Sequence, residues 1–267
     1  MKTFFREIDQ FFAEYMPQVT RRMFFACCVI FLVMTLLYVI GLAAPIVVHL
    51  RDRIFVLRPS QAVYQFHLWQ FFTCIFAHFN FFHLFFNMIG LAVFGPMVEN
   101  ALGSTRFAWL AILSGLAGAF AHTVITIIFG YPSLGLLGFS GALYGILTFA
   151  IILFPRAEII FWFIPMQLRI LGFFFGILLM LSLIGDIQMM RQGRGDISGV
   201  SYLAHAAGVL AGILLYKFPA ILRRLEKVNL FPFTSKKQKG VRLSMGHPGR
   251  HTDPDDRYND PHWRLDQ

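Results

Sequence analysis

Six apolar blocks dominate the chain, at about 23–48, 82–101, 106–129, 139–155, 164–188 and 200–222. A helix needs roughly 20 apolar residues to cross the hydrocarbon core of a bilayer, so these blocks predict six spans. The fourth is short, at about 17 residues, which predicts that it lies steeply or begins below the surface. Between the first two blocks, residues 51–81 (RDRIFVLRPSQAVYQFHLWQFFTCIFAHFNFF, extended by one at its end) are too aromatic for a solvated linker. They predict a loop half sunk at headgroup depth, where amphipathic rings are favoured. From about 229 the chain turns polar and Pro- and charge-rich, the pattern of a disordered tail. The expected organisation is an N-terminal cytoplasmic segment at 1–22, a membrane domain at 23–222 and a basic, then mixed-charge tail at 223–267. The fold class is all-α: a bundle of six transmembrane helices with an interfacial loop between helices 1 and 2.

Composition agrees: 57% of the 267 residues are hydrophobic and 14% charged, with a mean hydropathy of +0.63. The net charge of +9 is concentrated, with Arg223, Arg224, Lys227, Lys236, Lys237, Lys239 and Arg242 facing one acid, Glu226. A basic run just after a last span reads as a cytoplasmic, headgroup-facing segment rather than a nucleic-acid surface. Counting Lys and Arg at the span ends puts both termini on the cytoplasmic side. The first block is long and lacks a small-residue cleavage site, so it reads as a retained anchor. This balance of features fits a bacterial inner membrane, with an organelle membrane as the alternative. Cys27, Cys28 and Cys74 suggest packing residues and no disulfide framework.

With both termini inside, blocks two, four and six all start on the outer side. They deliver His83 and Asn87, Ser140, and His205 to a similar depth. Polar groups inside a membrane are expensive and mark a bundle interior or a water-filled cavity. Gly141 and Gly145 on block four, and Gly208 and Gly212 on block six, form small faces that let two helix backbones approach closely. Packing these faces together would bring Ser140 to His205. A serine hydroxyl becomes a nucleophile when a neutral imidazole takes its proton, and with no acid at this depth the arrangement is a dyad rather than a triad. His83, Asn87 and the free backbone N–H of Ser140, in a first helical turn, are candidate oxyanion donors. Gly138 and Gly141 keep the serine uncrowded.

Each residue also has a plainer role. A lone serine back-bonds to the preceding turn, and lone His or Asn residues bond between helices. His122 is a rival base, but no small-residue face is evident beside it. His67 and His78 read as interfacial. GFSG departs from the G-x-S-x-G elbow at Ala142, and no strand precedes it. His247, His251 and His262 in the tail match no common metal spacing.

Taken in order, HLFFN (83–87), GFSG (138–141) and AHAAG (204–208) resemble the three signatures of the rhomboid intramembrane serine proteases. VENALGSTRF (98–107) and LWQ (68–70) extend the likeness, which covers about 60–222. The resemblance implies a rhomboid-like bundle with Ser140 as nucleophile, His205 as base, and His83, Asn87 and the Ser140 backbone as oxyanion hole. It implies that Tyr144 packs beside the His205 ring. It also implies substrates that are single-span membrane proteins cut near the outer face, an amphipathic first loop lying in the membrane, a mobile fifth span or nearby cap loop admitting substrate laterally, and neither a metal nor an organic cofactor. Gln70 stands where the family usually has Arg, and Val200 where it often has Gly, with Gly199 one place earlier. Two other readings compete: a catalytically inactive rhomboid-like protein that binds membrane clients, and a small transporter. The transporter would need paired charges or inverted repeats, which are not evident.

Overall fold

The computed structural model describes residues 12–39, 52–161, 164–191 and 202–228. The helices are α1 (Gln18–Val39), α2 (Pro59–Ala62), α3 (Gln70–Thr73), α4 (Phe81–Leu102), α5 (Ser104–Ile128), α6 (Ser140–Leu153), α7 (Leu168–Arg191), α8 (Tyr202–Lys217) and α9 (Pro219–Glu226). A two-stranded antiparallel ribbon, β1 (Glu158–Phe161) and β2 (Ile164–Gln167), precedes α7. The end of the expected first span, positions 199 and 200, and the tail with its three histidines lie outside the described residues.

Four helices, α1, α4, α5 and α7, are long and apolar enough to cross a bilayer; α8 with α9 would make a fifth if a bent pair counts as one. The described helices depart from the expected span bounds at three places. First, α6, expected to be short, has only 14 residues, about 21 Å at 1.5 Å per residue against a core of about 30 Å. Second, residues 164–167, expected to be helical, form a strand paired with 158–161. Pro165 explains this, because it cannot donate to a helix and pushes Ile164 out of the helical region. Third, the expected last span breaks after Lys217, where Phe218 precedes Pro219, and α9 leaves at 84°. α9 is held across the end of α5 by Arg106 on Glu226 (2.8 Å) and by the Trp109 indole on the Leu225 carbonyl (3.1 Å).

The first helix starts at Gln18 rather than at 23, among polar residues. Its opening donors are satisfied from another helix. Glu99 of α4, 2% exposed, accepts from Val19 N–H (2.9 Å), Thr20 N–H (2.7 Å), Thr20 Oγ1 (2.7 Å) and Ser104 Oγ (2.6 Å). One carboxylate thus joins the ends of α1, α4 and α5, and a negative charge at a helix N-terminus is favourable.

α5, α6 and α8 pack most closely and form the centre of the bundle, while α7 leans on α6, α8 and its own preceding strand. The loop before α4 is built as short turns. Val56, Leu57, Cys74 and Ile75 point into the core, whereas Tyr64, Phe66, Trp69, Phe72 and Phe79 are exposed. Gln70 is the hub of this loop. Its side-chain oxygen accepts from Arg58 N–H (3.2 Å), and its amide nitrogen donates to the carbonyls of Asp52 (3.3 Å) and Arg53 (3.0 Å) and to Gln61 Oε1 (2.9 Å). A neutral amide with both donors and an acceptor therefore anchors the loop where Arg was the usual residue.

Candidate active site

Ser140 is the first residue of α6, so its position is fixed by the loop that delivers it. Leu57 and Leu136 exchange two backbone bonds of 2.9 Å, Gly138 N–H donates to the Cys74 carbonyl (2.9 Å), and Phe139 N–H approaches His78 Nε2 (3.4 Å). The loop that delivers Ser140 is thereby bolted to the aromatic loop before α4. Gly138 sits at φ +130°, which side-chain-bearing residues rarely adopt. A Cβ there would lie 2.6 Å from His83 Cε1 and 3.7 Å from Ser140 Oγ. The missing methyl is what lets the His83 ring and the serine hydroxyl approach the same point.

The small residues of α8 sit directly against the backbone of α6. A Cβ on Gly208 would overlap the Gly141 carbonyl oxygen, and one on Gly212 would stand 2.9 Å from the Gly145 oxygen. This close crossing sets His205 Nε2 at 2.8 Å from Ser140 Oγ. The Tyr144 ring stacks on His205 at 4.5 Å and 16°, and Tyr202 meets it edge-on at 5.6 Å. His205 is buried, and its Nδ1 has no hydrogen-bond partner among the described residues. Among the described residues no carboxylate orients the ring; the two tyrosines do so by contact.

His83 and Asn87 share one face of α4, whose first turn is capped by Asn80 Oδ1 accepting from His83 N–H (2.8 Å). The Asn87 amide donates to the His83 carbonyl (2.8 Å), while its own oxygen has no partner among the described residues. His83 thus stands beside the serine, and Asn87 lies one turn deeper with its amide directed along its own helix.

His122 reaches the Leu134 carbonyl (3.2 Å), not the serine. The expectation that it lacks a small-residue face is corrected, however. Gly118 of α5 packs on the Ala204 carbonyl, and a Cβ on Gly145 would overlap Ser114 Oγ. α5 is therefore the third wall of the site. Two further residues were not singled out for the site. His78, read as interfacial, is buried, with its ring 5.2 Å from His83; its position five residues before His83, at the foot of the same loop, was the available signal. Asp186 of α7 accepts from Tyr202 N–H (3.1 Å), fastening α7 to the start of α8 three residues before His205. An acid inside an apolar block was its signal.

Comparison with known proteins bears on this arrangement. The sequence model of the Rhomboid domain matches residues 65–220, more than half of the chain and all of the elements that carry the site. The chain belongs to the rhomboid family. It is an integral, multi-pass membrane protein, as the family and the apolar helices require. This rhomboid is similar to the chloroplastic rhomboid-like protein 11 of Arabidopsis thaliana, 27% identical over 191 residues covering 65% of this chain and 63% of that one. It is also similar to RHOMBOID-like protein 1 of the same plant (33% over 88 residues, 33% of this chain and 21% of that one) and to the rhomboid protease GlpG of Salmonella newport (31% over 91 residues, 34% and 31%). The matched region is less than two thirds of each of these relatives' own length.

Proposed function

We propose that this rhomboid is an intramembrane serine endopeptidase working by a Ser140–His205 dyad. The observation that carries the reading is the 2.8 Å approach of His205 Nε2 to Ser140 Oγ, within the range of a hydrogen bond and suited to general-base transfer. Ser140 Oγ attacks the scissile carbonyl as its proton passes to His205 Nε2. The oxyanion then forms beside the Ser140 backbone N–H and the His83 ring, and Asn87 joins by turning its amide from the His83 carbonyl. Collapse of this intermediate releases the amine, protonated by His205, and leaves an ester on Ser140. Water, deprotonated by His205, hydrolyses that ester. Tyr144 keeps the imidazole facing the serine, the task an acid performs in a triad.

The substrates of this reading are single-span membrane proteins, cut near the outer face, with both termini of the enzyme cytoplasmic. The exposed apolar sides of α4 (Phe82, Phe85, Phe86) and α7 (Phe173, Phe174, Ile177) offer lateral entry from the bilayer. The loop between α1 and α4, with its exposed rings, lies at the interface. Relatives from a plant and from a bacterium alike support a bilayer location rather than a named compartment. The test is cleavage of a model single-span substrate by the purified protein, with fluorophosphonate labelling of the serine. Ser140→Ala and His205→Ala should each abolish cleavage, and the wild type should label at Ser140. Cleavage by Ser140→Ala would refute the dyad. Absence of both labelling and cleavage in the wild type would leave the client-binding rhomboid-like reading in its place.

A further inference from the structure

A cavity of about 370 Å³ opens between α6, α7 and α8, and Ser140 does not line it. Its walls include Tyr144 and Ile151 of α6, Arg169, Phe173 and Gly176 of α7, and Ile213 of α8. Two glycines one turn apart explain why it exists. At Gly172 a Cβ would lie 2.7 Å from Ile151 Cδ1, so α7 is pressed onto α6 there. At Gly176 nothing lies within 4 Å of the same position. The helices touch at the first glycine and part at the second, leaving an apolar slot.

The slot is charged at one end only. Arg169 is exposed, donates Nε–H to Gln167 Oε1 (2.9 Å), and has no carboxylate partner among the described residues. Its N–H bonds the Pro155 carbonyl (3.0 Å), so the exposed Arg156 shares that end. Lys217 follows Ile213 by one turn of α8. At the other end stands Tyr144, whose ring stacks on His205. The occupant must therefore be a narrow apolar chain with an anion at one end. The close contact at Gly172 narrows the slot at that turn, which suits a single extended acyl chain.

We propose that this slot binds one acyl chain of an anionic glycerophospholipid, with its phosphate paired to Arg169 and the chain running toward Tyr144. Arg169 supplies headgroup preference, and Gly176 supplies the room for the chain. The lipid fills the space beneath the ring that holds His205 and so supports the base from the membrane side. This inference does not depend on proteolysis.

The experiment is native mass spectrometry of the full chain in detergent, with dioleoyl phosphatidylglycerol or dioleoyl phosphatidylcholine added. It is run on the wild type and on Ser140→Ala, so that the outcome is independent of cleavage. The wild type should retain phosphatidylglycerol at least about fivefold more than phosphatidylcholine, the factor that one basic residue near a headgroup supplies. Arg169→Gln should lower that ratio about fivefold relative to the wild type. Gly176→Leu, which fills the slot, should lose the retained lipid while keeping Cys74 protected from thiol reagents, a check that the fold is intact. The basic tail is present in every variant, so its own attraction cancels. Retention of phosphatidylglycerol by Gly176→Leu at the wild-type level, or an unchanged headgroup preference in Arg169→Gln, would overturn the proposal.

Discussion

Gly208 offers the sharpest test of how the site is assembled. A methyl group at this position would sit inside the envelope of the Gly141 carbonyl oxygen, 3.1 Å from its carbon and 3.3 Å from its Cα. All three atoms are backbone, and no rotamer can move them aside. Ordinary contact begins near 3.4 Å, so α6 and α8 must part by about 1 Å to admit the methyl group. Ser140 directly precedes Gly141, and His205 lies three residues before Gly208. The same parting stretches the 2.8 Å hydrogen bond to nearly 4 Å, where it no longer exists. Gly208→Ala should therefore lower the rate of serine labelling by about a hundredfold, the scale of a 1 Å misplacement. It should also destabilise the fold by about 1–3 kcal/mol through overpacking. Gly141→Ala is the matched control on the same interface. Its Cβ would meet nothing closer than 3.6 Å, so labelling should stay within about threefold of wild type. The assay is the second-order rate of fluorophosphonate labelling in detergent, read beside substrate cleavage. Equal rates for Gly208→Ala and wild type, or equal losses in the two variants, would refute the close crossing as the device that aligns the dyad.

Three other substitutions probe the supports. Glu99→Gln leaves an amide group facing donors at the start of α1; it should cost about 2–3 kcal/mol, read as faster thiol labelling of the buried Cys27. Gln70→Leu unpairs the carbonyls of Asp52 and Arg53 and the Arg58 N–H. It should cost about 2 kcal/mol and expose Cys74, whose thiol burial pushes up to about 12, to maleimide. His78 is pulled down to about 3, first by burial and then by the neighbouring His83. The unfolded chain therefore binds a proton that the folded chain refuses between pH 6.5 and about 3. Stability is full above that window and falls with pH through it, by about 1.4 kcal/mol per pH unit from this residue. His78→Gln should flatten the acid limb of the thermal midpoint against pH; an unchanged limb would show that other groups set it.

The parts legible in the sequence are those written in local spacing. Gly208 and Gly212 four apart, with His205 just above them, mark the face of α8 that meets α6 beside Ser140, whereas Gly145 of α6 is tight against Ser114 of α5. The motif series marked Tyr144, which stacks on His205. The parts that escaped depend on contacts across long separations. Glu99 caps a helix about 80 residues earlier, so nothing near position 18 marks where α1 begins. Gln70 gathers the backbone of residues 52–58, a pattern with no periodicity. Hydropathy alone extended span five across Pro165 and span six across Pro219, because both prolines lie in apolar company; their backbone geometry decided otherwise. His78 looked like one ring among many in an aromatic loop, and only the fold of that loop turned it inward.

The shortness of α6 carries one more consequence. The helix is a pedestal about 9 Å shorter than a full span, and the chain at 131–139 leads into its Ser140 end as turns. Hydrolysis has two reactants, and in a bilayer the scarce one is water. If Ser140 acts as proposed, turns rather than hydrocarbon above the pedestal would keep water within reach of the ester on Ser140. Thicker bilayers should then slow the step that consumes water before they slow the step that forms the ester.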